Sequence, residues 1–195
     1  MLHPIIKVVS QSVTLLPEEE EFILSYFIKQ HHKRNEILMQ EGEMAQHIFF
    51  VVQGALQQFY VDDNGIEHTC NFIFENEFIT DLESFSKKVA ATTSIKALEP
   101  TICYSITCAH LMELIEASPA IKEFFRIIVE NVAAEGIRRT RAFQSASPEK
   151  SFLELLEKRP DIFQRVPQRY IAQYLGIAPE SLSRIKKRLL VQAKS

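Results

Sequence analysis

Glycine and proline are scarce in this sequence, with 5 and 8 among its 195 residues. Their scarcity excludes a collagen-like, low-complexity or disordered chain, and a hydrophobic fraction of 46% suffices for a proper core. No apolar run reaches the roughly 18–20 residues that cross a bilayer. The amino terminus lacks a basic segment followed by an apolar one. We therefore expect a cytoplasmic protein without a signal peptide or a membrane span.

Motifs that carry catalytic or metal chemistry are also missing. The three cysteines are one short of a four-thiolate iron–sulfur cluster, and Cys103, Cys108 and His110 do not have zinc-site spacing. His47 or His68 could in principle bind haem, but a single histidine near a strand is more often structural. There is no Gly-rich phosphate loop, Ser-His-Asp set or Cys-His set. We predict no metal, no cofactor and no enzymatic activity.

Charge is distributed unevenly along the chain. The net charge of −3 divides into −11 for residues 1–137, with 9 basic and 20 acidic side chains, and +8 for residues 138–195, with 13 basic and 5 acidic. An acidic module joined to a basic one is typical of a sensor fused to a nucleic-acid reader. Charge alone equally allows a basic face that binds nothing.

Six short β-rich runs follow one another between Asn35 and Ile106. Gly42, Gly54 and the cluster Asp62-Asp63-Asn64-Gly65 separate them, and Asn-Gly after an aspartate pair is a strong hairpin signal. Many short strands with regular turns favour a jelly roll or a barrel. The candidate strands are Glu36–Met39, Ile48–Val52, Leu56–Val61, Thr69–Ile73, Ala90–Ala97 and Thr101–Ile106.

A long helix is predicted beyond these strands. Thr107 is placed to cap a first helix through Ala117, and Ser118-Pro119 begins a second one that extends to about Ser145. At 1.5 Å per residue the second helix measures about 40 Å, which a small domain cannot cover. Its apolar stripe therefore favours a parallel homodimer over packing within one chain. The residues assigned to the dimer interface are Ile121, Phe125, Ile128, Val132 and Gly136.

The carboxyl-terminal segment has the pattern of a helix-turn-helix. A helix from Pro148 to about Lys158 precedes two amphipathic helices that are separated by Gly176. Tyr170, Ile171, Tyr174 and Leu175 form the apolar face of the first, with Ile177 closing the turn. Pro179 begins the second, in which Leu182, Ile185 and Leu189 are spaced to pack back on the first. Two helices joined by a short turn with glycine are typical of this motif.

The outward face of the second helix is polar and basic. Arginine recognises guanine edges, glutamate accepts from cytosine, and lysine or arginine binds phosphates. An ordinary solvent-facing amphipathic helix has a similar pattern. The residues assigned to DNA binding are Gln168, Arg169, Glu180, Ser181, Ser183, Arg184, Lys187 and Arg188.

This segment resembles the helix-turn-helix of the Crp/Fnr family of transcription regulators. The resemblance is carried by Ile171-Ala172, Leu175-Gly176-Ile177 and residues 180–185, Glu-Ser-Leu-Ser-Arg-Ile. Upstream, residues 38–43 and 48–54 are similar to the β-roll entry of that family, with glycines twelve apart. The resemblance implies an α+β chain with a β-roll or jelly-roll sensor at 1–117, a dimerisation helix at 118–146 and a helix-turn-helix domain at 147–195.

The same resemblance implies how the chain acts. A homodimer would place helix 179–190 of each subunit in the major groove of double-stranded DNA, with Glu180 and Arg184 as leading base readers, on a near-palindromic operator. RNA polymerase would be a further partner. A signalling adaptor with a non-functional helix-turn-helix is the alternative.

The sequence departs from the family in two places. Cyclic AMP binders carry Gly-Glu-Leu followed by Arg-Ser or Arg-Thr; here Thr80, Asp81 and Leu82 are followed by Ala91, Thr92 and Thr93. Ala91 replaces the arginine that pairs with the phosphate, and Glu75, Glu77 and Glu83 make the surroundings more acidic. We therefore expect high-affinity cyclic AMP binding to be lost, with another effector or none. Residues 190–195 are also too few for the usual β-hairpin wing, and Ala178 replaces the usual Ser or Thr helix cap.

Overall fold

The computed structural model describes residues 2–145 and 147–192, and the side chains of residues 2–141 and 147–188. The chain begins with two short helices, α1 (Pro4–Val9) and α2 (Pro17–Ser25). Both start at a proline, whose missing N–H would be unpaired in a first helical turn anyway. Ile5, Ile6 and Ile23 are fully buried, so that both helices contribute to the core of the first domain.

Eight strands in the described residues form two four-stranded antiparallel sheets. They are β1 (Ile28–His32), β2 (Ile37–Met39), β3 (His47–Gln53), β4 (Leu56–Val61), β5 (Glu67–Ile73), β6 (Phe78–Ile79), β7 (Ser94–Ala97) and β8 (Thr101–Thr107). One sheet has the order β1-β8-β3-β6 and the other β2-β7-β4-β5. Side chains such as Phe50, Leu56 and Ile106 fill the space between the sheets. The predicted jelly-roll-like sensor is confirmed.

Each of the six predicted strands overlaps an observed one, and two strands were not predicted. The hairpin turn at 62–65 is confirmed, since Asp62 accepts hydrogen bonds from the backbone N–H groups of Asn64 and Ile66 at 2.9 Å. β1 is rich in polar residues and β6 has only two residues, so neither carried a strand signal. The prediction for Ala90–Ala97 is wrong for residues 91–93, and Ala90 forms only an isolated antiparallel bridge with Met44. There the backbone N–H of Thr92 binds Asp81 rather than a neighbouring strand.

Two helices follow the sandwich, α4 (Cys108–Ala117) and α5 (Pro119–Ser145). The predicted caps are present: Thr107 Oγ1 accepts from the N–H of His110 at 3.2 Å, and Ser118 Oγ accepts from that of Ile121 at 3.3 Å. A shorter helix, α3 (Leu82–Lys87), interrupts the strands earlier in the chain. Of the helices in the described ranges, none is both long and apolar enough to cross a membrane.

The apolar stripe of α5 divides into two parts. Ile121 is 4% exposed and Phe124 8%, because both pack into the sensor core. Phe125 and Ile128 are half-buried against the same core, whereas Val132 is 52% exposed and Ile137 58%. Ile121 therefore has little surface left for a second chain. Phe125 and Ile128 keep part of their surface open to a partner, and Val132 keeps about half.

The C-terminal domain consists of four helices in its described residues: α6 (Pro148–Lys158), α7 (Ile162–Arg165), α8 (Gln168–Tyr174) and α9 (Pro179–Gln192). The predicted start of α6 is confirmed, with Ser147 Oγ accepting from the N–H of Lys150 at 3.3 Å. The domain has its own core, which is continuous with the outward face of the sheet β2-β7-β4-β5. Phe72 and Phe74 of the sensor belong to that second core. The two domains are therefore docked on each other.

Candidate DNA-binding face and effector site

The helix-turn-helix consists of α8 and α9. Ile171 and Leu182 are fully buried where the two helices meet, and Tyr170, Leu175 and Ile185 are less than 9% exposed. Gly176 has a φ of +65°, the left-handed conformation that glycine adopts without Cβ strain. The N–H of Ile177 donates to the carbonyl of Ala172 at 3.0 Å, which closes the turn. The predicted scaffold is present, apart from Leu189, whose side chain lies outside the described residues.

The opposite face of α9 is open to solvent. Glu180, Ser183, Arg184, Lys187 and Arg188 are exposed there, and Ser181 is half-buried. Gln168 and Arg169 are exposed at the start of α8. All eight residues assigned to DNA binding thus have side chains at or near the surface, six of them on α9. The arrangement suits a helix that inserts into a groove while its apolar face holds it on a scaffold.

Intramolecular contacts restrain some of these cations. Arg188 forms two hydrogen bonds with Glu149 of α6, at 2.5 and 3.1 Å. Arg169 donates to the hydroxyl of Tyr170 at 2.8 Å, and Arg184 Nε lies 3.5 Å from the carbonyl of Glu180 in its own helix. Arg188 would have to leave a carboxylate to reach a phosphate. Arg184 and Lys187 form no ion pair with an acidic side chain among the residues that the structure describes, so they need no such exchange there.

Two of the predicted departures from the family, the replaced helix cap and the missing wing, lie at the two ends of α9. At the start, the carbonyl of Ala178 accepts from the N–H groups of Ser181 and Leu182 at 3.0 and 3.2 Å, and no hydroxyl is available to cap the helix. At the other end, residues 190–192 continue the helix. Residues 193–195 lie outside the described residues, so that the prediction about the wing stays a prediction.

The candidate effector pocket centres on Asp81, which is 7% exposed. Its Oδ1 caps α3 by accepting from the N–H of Ser84 at 3.1 Å. Its Oδ2 accepts from the N–H and the hydroxyl of Thr92 at 3.1 and 3.3 Å, and from the hydroxyl of Thr93 at 3.2 Å. Four donors of the chain itself thus occupy the carboxylate. A ribose hydroxyl would have to displace one of them.

The other residues of this pocket are also engaged in the fold. Ala91 is 3% exposed within the sensor core, and its backbone exchanges hydrogen bonds with Glu43 and Gly42 at 2.8 and 2.9 Å. Leu82 is half-buried, and the Thr93 hydroxyl accepts from Gln58 at 2.9 Å. The predicted pocket residues do lie close together. Their polar groups, however, form hydrogen bonds with one another and with neighbouring residues of the fold.

Three glutamates were predicted to make the surroundings of this pocket more acidic, and for two of them the prediction is wrong. Glu75 accepts two hydrogen bonds from Arg165 of α7, at 2.8 and 2.9 Å, and Glu77 pairs with Arg159. Both therefore face the C-terminal domain. Glu83 pairs with Lys87 at 2.8 Å on the surface of α3. Burial raises the pKa of Glu75, but Arg165 and the N–H of Gly54 outweigh it and lower that pKa overall.

Polar contacts that the sequence did not reveal join α8 to the sheet. Lys96 is only 6% exposed and binds the carboxylate of Glu67 at 2.7 and 2.8 Å. Its ammonium lies 4.3 Å from the ring centre of Phe59 and 4.9 Å from that of Tyr170 in α8. The Thr69 hydroxyl also contacts the side-chain oxygen of Gln173 at 3.0 Å. The first helix of the helix-turn-helix, α8, thus packs directly against the sensor.

The three cysteines are free thiols. Cys103 is fully buried in the sensor core, and burial raises the pKa of its thiol to about 12. Cys70 is half-buried, and burial likewise raises its pKa. Both thiols are thus less acidic than an ordinary cysteine, which lowers their reactivity as nucleophiles.

Comparison with known proteins agrees with this architecture. Residues 29–118 match the cyclic nucleotide-binding domain family. The "cAMP-activated global transcriptional regulator CRP" of Escherichia coli O6:H1 (strain CFT073) is 21% identical over 186 residues, 87% of this chain and 85% of that protein. FixK2 from Bradyrhizobium japonicum has a TM-score of 0.70 at 15% identity, over 86% of each chain. A putative Crp/Fnr-family regulator from Eubacterium rectale has a TM-score of 0.68 at 17% identity, over 91% of this chain and 85% of that one.

These matches concern two parts of the chain: the sensor alone, and the chain as a whole. Residues 29–118, which match the cyclic nucleotide-binding domain family, include nearly all of the two four-stranded sheets. The chain as a whole is similar in sequence to the CRP regulator and shares the fold of these two solved structures.

Proposed function

We propose that this chain is a cytoplasmic DNA-binding transcription regulator that acts as a homodimer and reads a near-palindromic operator through α9. The observation that carries the proposal is that this helix is amphipathic, with one buried apolar face and one exposed polar face. Leu182 and Ile185 hold it against α8 and the domain core, while Glu180, Arg184 and Lys187 are left exposed on the other side. A helix fixed in this way is suited to the major groove, with arginine and glutamate at base edges.

Dimerisation through the outer part of α5 is the second element of the proposal. Val132 and Ile137 are more than half exposed, so they leave apolar surface on α5 that a second copy could cover. A Cβ placed on Gly136 would meet nothing within 4 Å in this chain, so a second helix has room to approach there. Two parallel copies would set their α9 helices about one turn of DNA apart, roughly 34 Å.

Loss of high-affinity cyclic AMP binding is the third element. Asp81 already accepts four hydrogen bonds from within the chain, and Ala91 offers no cation for the cyclic phosphate. The charge-assisted contact with the phosphate would therefore be missing. Regulation would come from another ligand, or the protein would act without one, and RNA polymerase is its expected partner in transcription.

The test is selection of DNA sequences from a randomised pool by the full chain, with and without cyclic AMP, followed by fluorescence-anisotropy titration of the enriched sequence. An enriched palindrome with the same dissociation constant in both arms is the expected result. Enrichment only with cyclic AMP would contradict the loss of cyclic AMP sensing. No sequence preference in either arm would contradict operator recognition.

A signalling adaptor with a non-functional helix-turn-helix is the second candidate. The ion pair between Arg188 and Glu149 favours it, because it withdraws one cation from the DNA-binding face. Salt dependence distinguishes the two functions. A regulator that neutralises several phosphates loses affinity steeply as salt rises, with a slope of about −0.9 per phosphate on a log–log plot, and an adaptor has no such slope.

A further inference from the structure

A cleft of about 540 Å³ lies where the sensor, α5 and the C-terminal domain meet. Phe72 and Phe74 of the sensor and Tyr174 of α8 provide its apolar surface, together with Ile128 and Val132 of α5, which the proposed dimer interface also includes. A cleft of about 390 Å³ adjoins it, since the two share several lining residues, and it extends to Leu175 and Gly176 in the helix-turn-helix. Volumes of this size suit small organic molecules.

Cations outnumber carboxylates in the lining of these two clefts, with four against three. Arg159 pairs with Glu77. Glu135 serves two cations, Arg138 at 2.7 Å and Lys158 at 3.6 Å. In the described ranges, no carboxylate forms an ion pair with the fourth cation, Arg139. The lining cations are Arg138, Arg139, Lys158 and Arg159, and the carboxylates are Glu77, Glu135 and Glu154.

Arg139 is held in a geometry that suits an anion. Its guanidinium carbon lies 4.7 Å from the ring centre of Tyr174, and Nη2 donates to the carbonyl of Cys70. These two contacts restrain the position of the group. Nε and Nη1 have no partner among the residues that the structure describes. A fixed planar donor beside an aromatic ring suits a carboxylate, sulfonate or phosphate attached to an apolar body.

The geometry points to an effector site in this cleft for a small organic anion with an aromatic or aliphatic body. The anionic group binds Arg139 and Lys158, and the body lies against Tyr174 and the sensor phenylalanines. Because Tyr174, Leu175 and Gly176 belong to the helix-turn-helix, a ligand here touches the sensor and the DNA-binding domain together. The regulatory role of the site rests on the proposed function, whereas anion binding itself does not.

The test uses 8-anilinonaphthalene-1-sulfonate, an aromatic anion, and N-phenyl-1-naphthylamine, which has the same rings and no charge. Fluorescence titration of the full chain without DNA is expected to give one sulfonate site per chain. Arg139→Gln and Lys158→Gln should each weaken sulfonate binding by about 10-fold or more, since each removes a charge-assisted contact, and should leave the neutral probe unchanged within about 2-fold. Arg126→Gln is the matched control, because this α5 arginine pairs with Glu123 and Glu130 and does not line the cleft.

Three outcomes would overturn the proposal. The first is equal affinity of both probes for the wild type, and the second is wild-type sulfonate affinity in both cleft variants. The third is sulfonate affinity that falls as the chain dimerises, which would assign the cleft to a second copy. If circular dichroism shows that Arg139→Gln is unfolded, Lys158→Gln alone decides, because its side chain is 66% exposed. An absence of operator binding would contradict the proposed function and leave the probe result intact.

Discussion

The guanidinium of Arg165 in the C-terminal domain binds the carboxylate of Glu75 in the sensor through two parallel hydrogen bonds of 2.8 and 2.9 Å. Glu99 accepts from the same guanidinium at 2.6 Å. One arginine thus joins two sensor carboxylates, and its side chain is 21% exposed. Bidentate arginine pairs of this kind are more specific in geometry than single contacts.

Replacing Arg165 with glutamine should therefore destabilise the docked arrangement. Glu75 and Glu99 would keep their charges and lose their cation in a partly buried position, at a cost of about 1–3 kcal/mol. Urea denaturation followed by circular dichroism measures the change in unfolding free energy. Arg126→Gln is the control, since its ion pairs lie on the surface and such pairs contribute about 0–1 kcal/mol. Equal losses in the two variants would contradict the role assigned to Arg165.

The same pair predicts a pH dependence. Because Arg165 lowers the pKa of Glu75 in the folded state, its contribution to stability is present above the ordinary carboxyl pKa of about 4.3 and is lost as the pH falls through the folded value. The difference in unfolding free energy between wild type and Arg165→Gln should be largest above about pH 5 and should shrink below pH 4. A difference that is constant with pH would show that the glutamine acts through packing alone.

Two glycines in the sensor offer a matched comparison. Gly42 and Gly54 both have positive φ, +86° and +101°. A Cβ on Gly54 would lie 2.5 Å from Thr101 Oγ1 and 2.8 Å from the carbonyl oxygen of Pro100, whereas a Cβ on Gly42 would meet nothing within 4 Å. Gly42→Ala should cost about 1 kcal/mol for backbone strain, and Gly54→Ala about 1–3 kcal/mol more for the clash. Thermal unfolding of both variants measures the difference, and similar melting temperatures would contradict the assigned approach of Thr101.

Local signals in the sequence were sufficient for much of the fold and for the helix-turn-helix. Thr107, Ser118 and Ser147 cap the predicted helices, and Gly176 takes the left-handed turn, because each depends only on neighbours a few residues away. Interleaved apolar residues in α8 and α9 likewise determined which face is buried. The exposed face of α9 followed from that placement.

The docking of the two domains could not be predicted in this way. Arg165 and Glu75 are 90 residues apart, and nothing near either residue marks it as half of an ion pair. One signal was available: residues 72–74, Phe-Ile-Phe, are all buried, since Ile73 faces the sensor core while Phe72 and Phe74 face the C-terminal domain. Consecutive apolar residues in a strand indicate that both faces of a sheet are covered.

Asp81 provides a test of the pocket independent of DNA. In Asp81→Asn, an amide placed with its NH₂ toward Thr92 and Thr93 would meet three donors, and the reverse orientation would lose the cap of α3. We expect a loss of about 1–3 kcal/mol in unfolding free energy.

Isothermal titration with cyclic AMP should detect no binding to wild type or variant at micromolar concentrations. Micromolar binding to the wild type would show that a nucleotide displaces these internal donors.

The reading face of α9 is tested by removing one arginine. Arg184→Ala should raise the dissociation constant for the selected operator and reduce discrimination against single-base variants at one position in each half-site, by about 1–3 kcal/mol. Lys187→Ala is the matched control on the same exposed face: if that lysine binds phosphate, its loss weakens all sequences about equally and lowers the salt slope by about one unit. Anisotropy titrations over a panel of operator variants measure both effects. If Arg184→Ala keeps the sequence preference of the wild type, the assignment of Arg184 to base recognition is wrong.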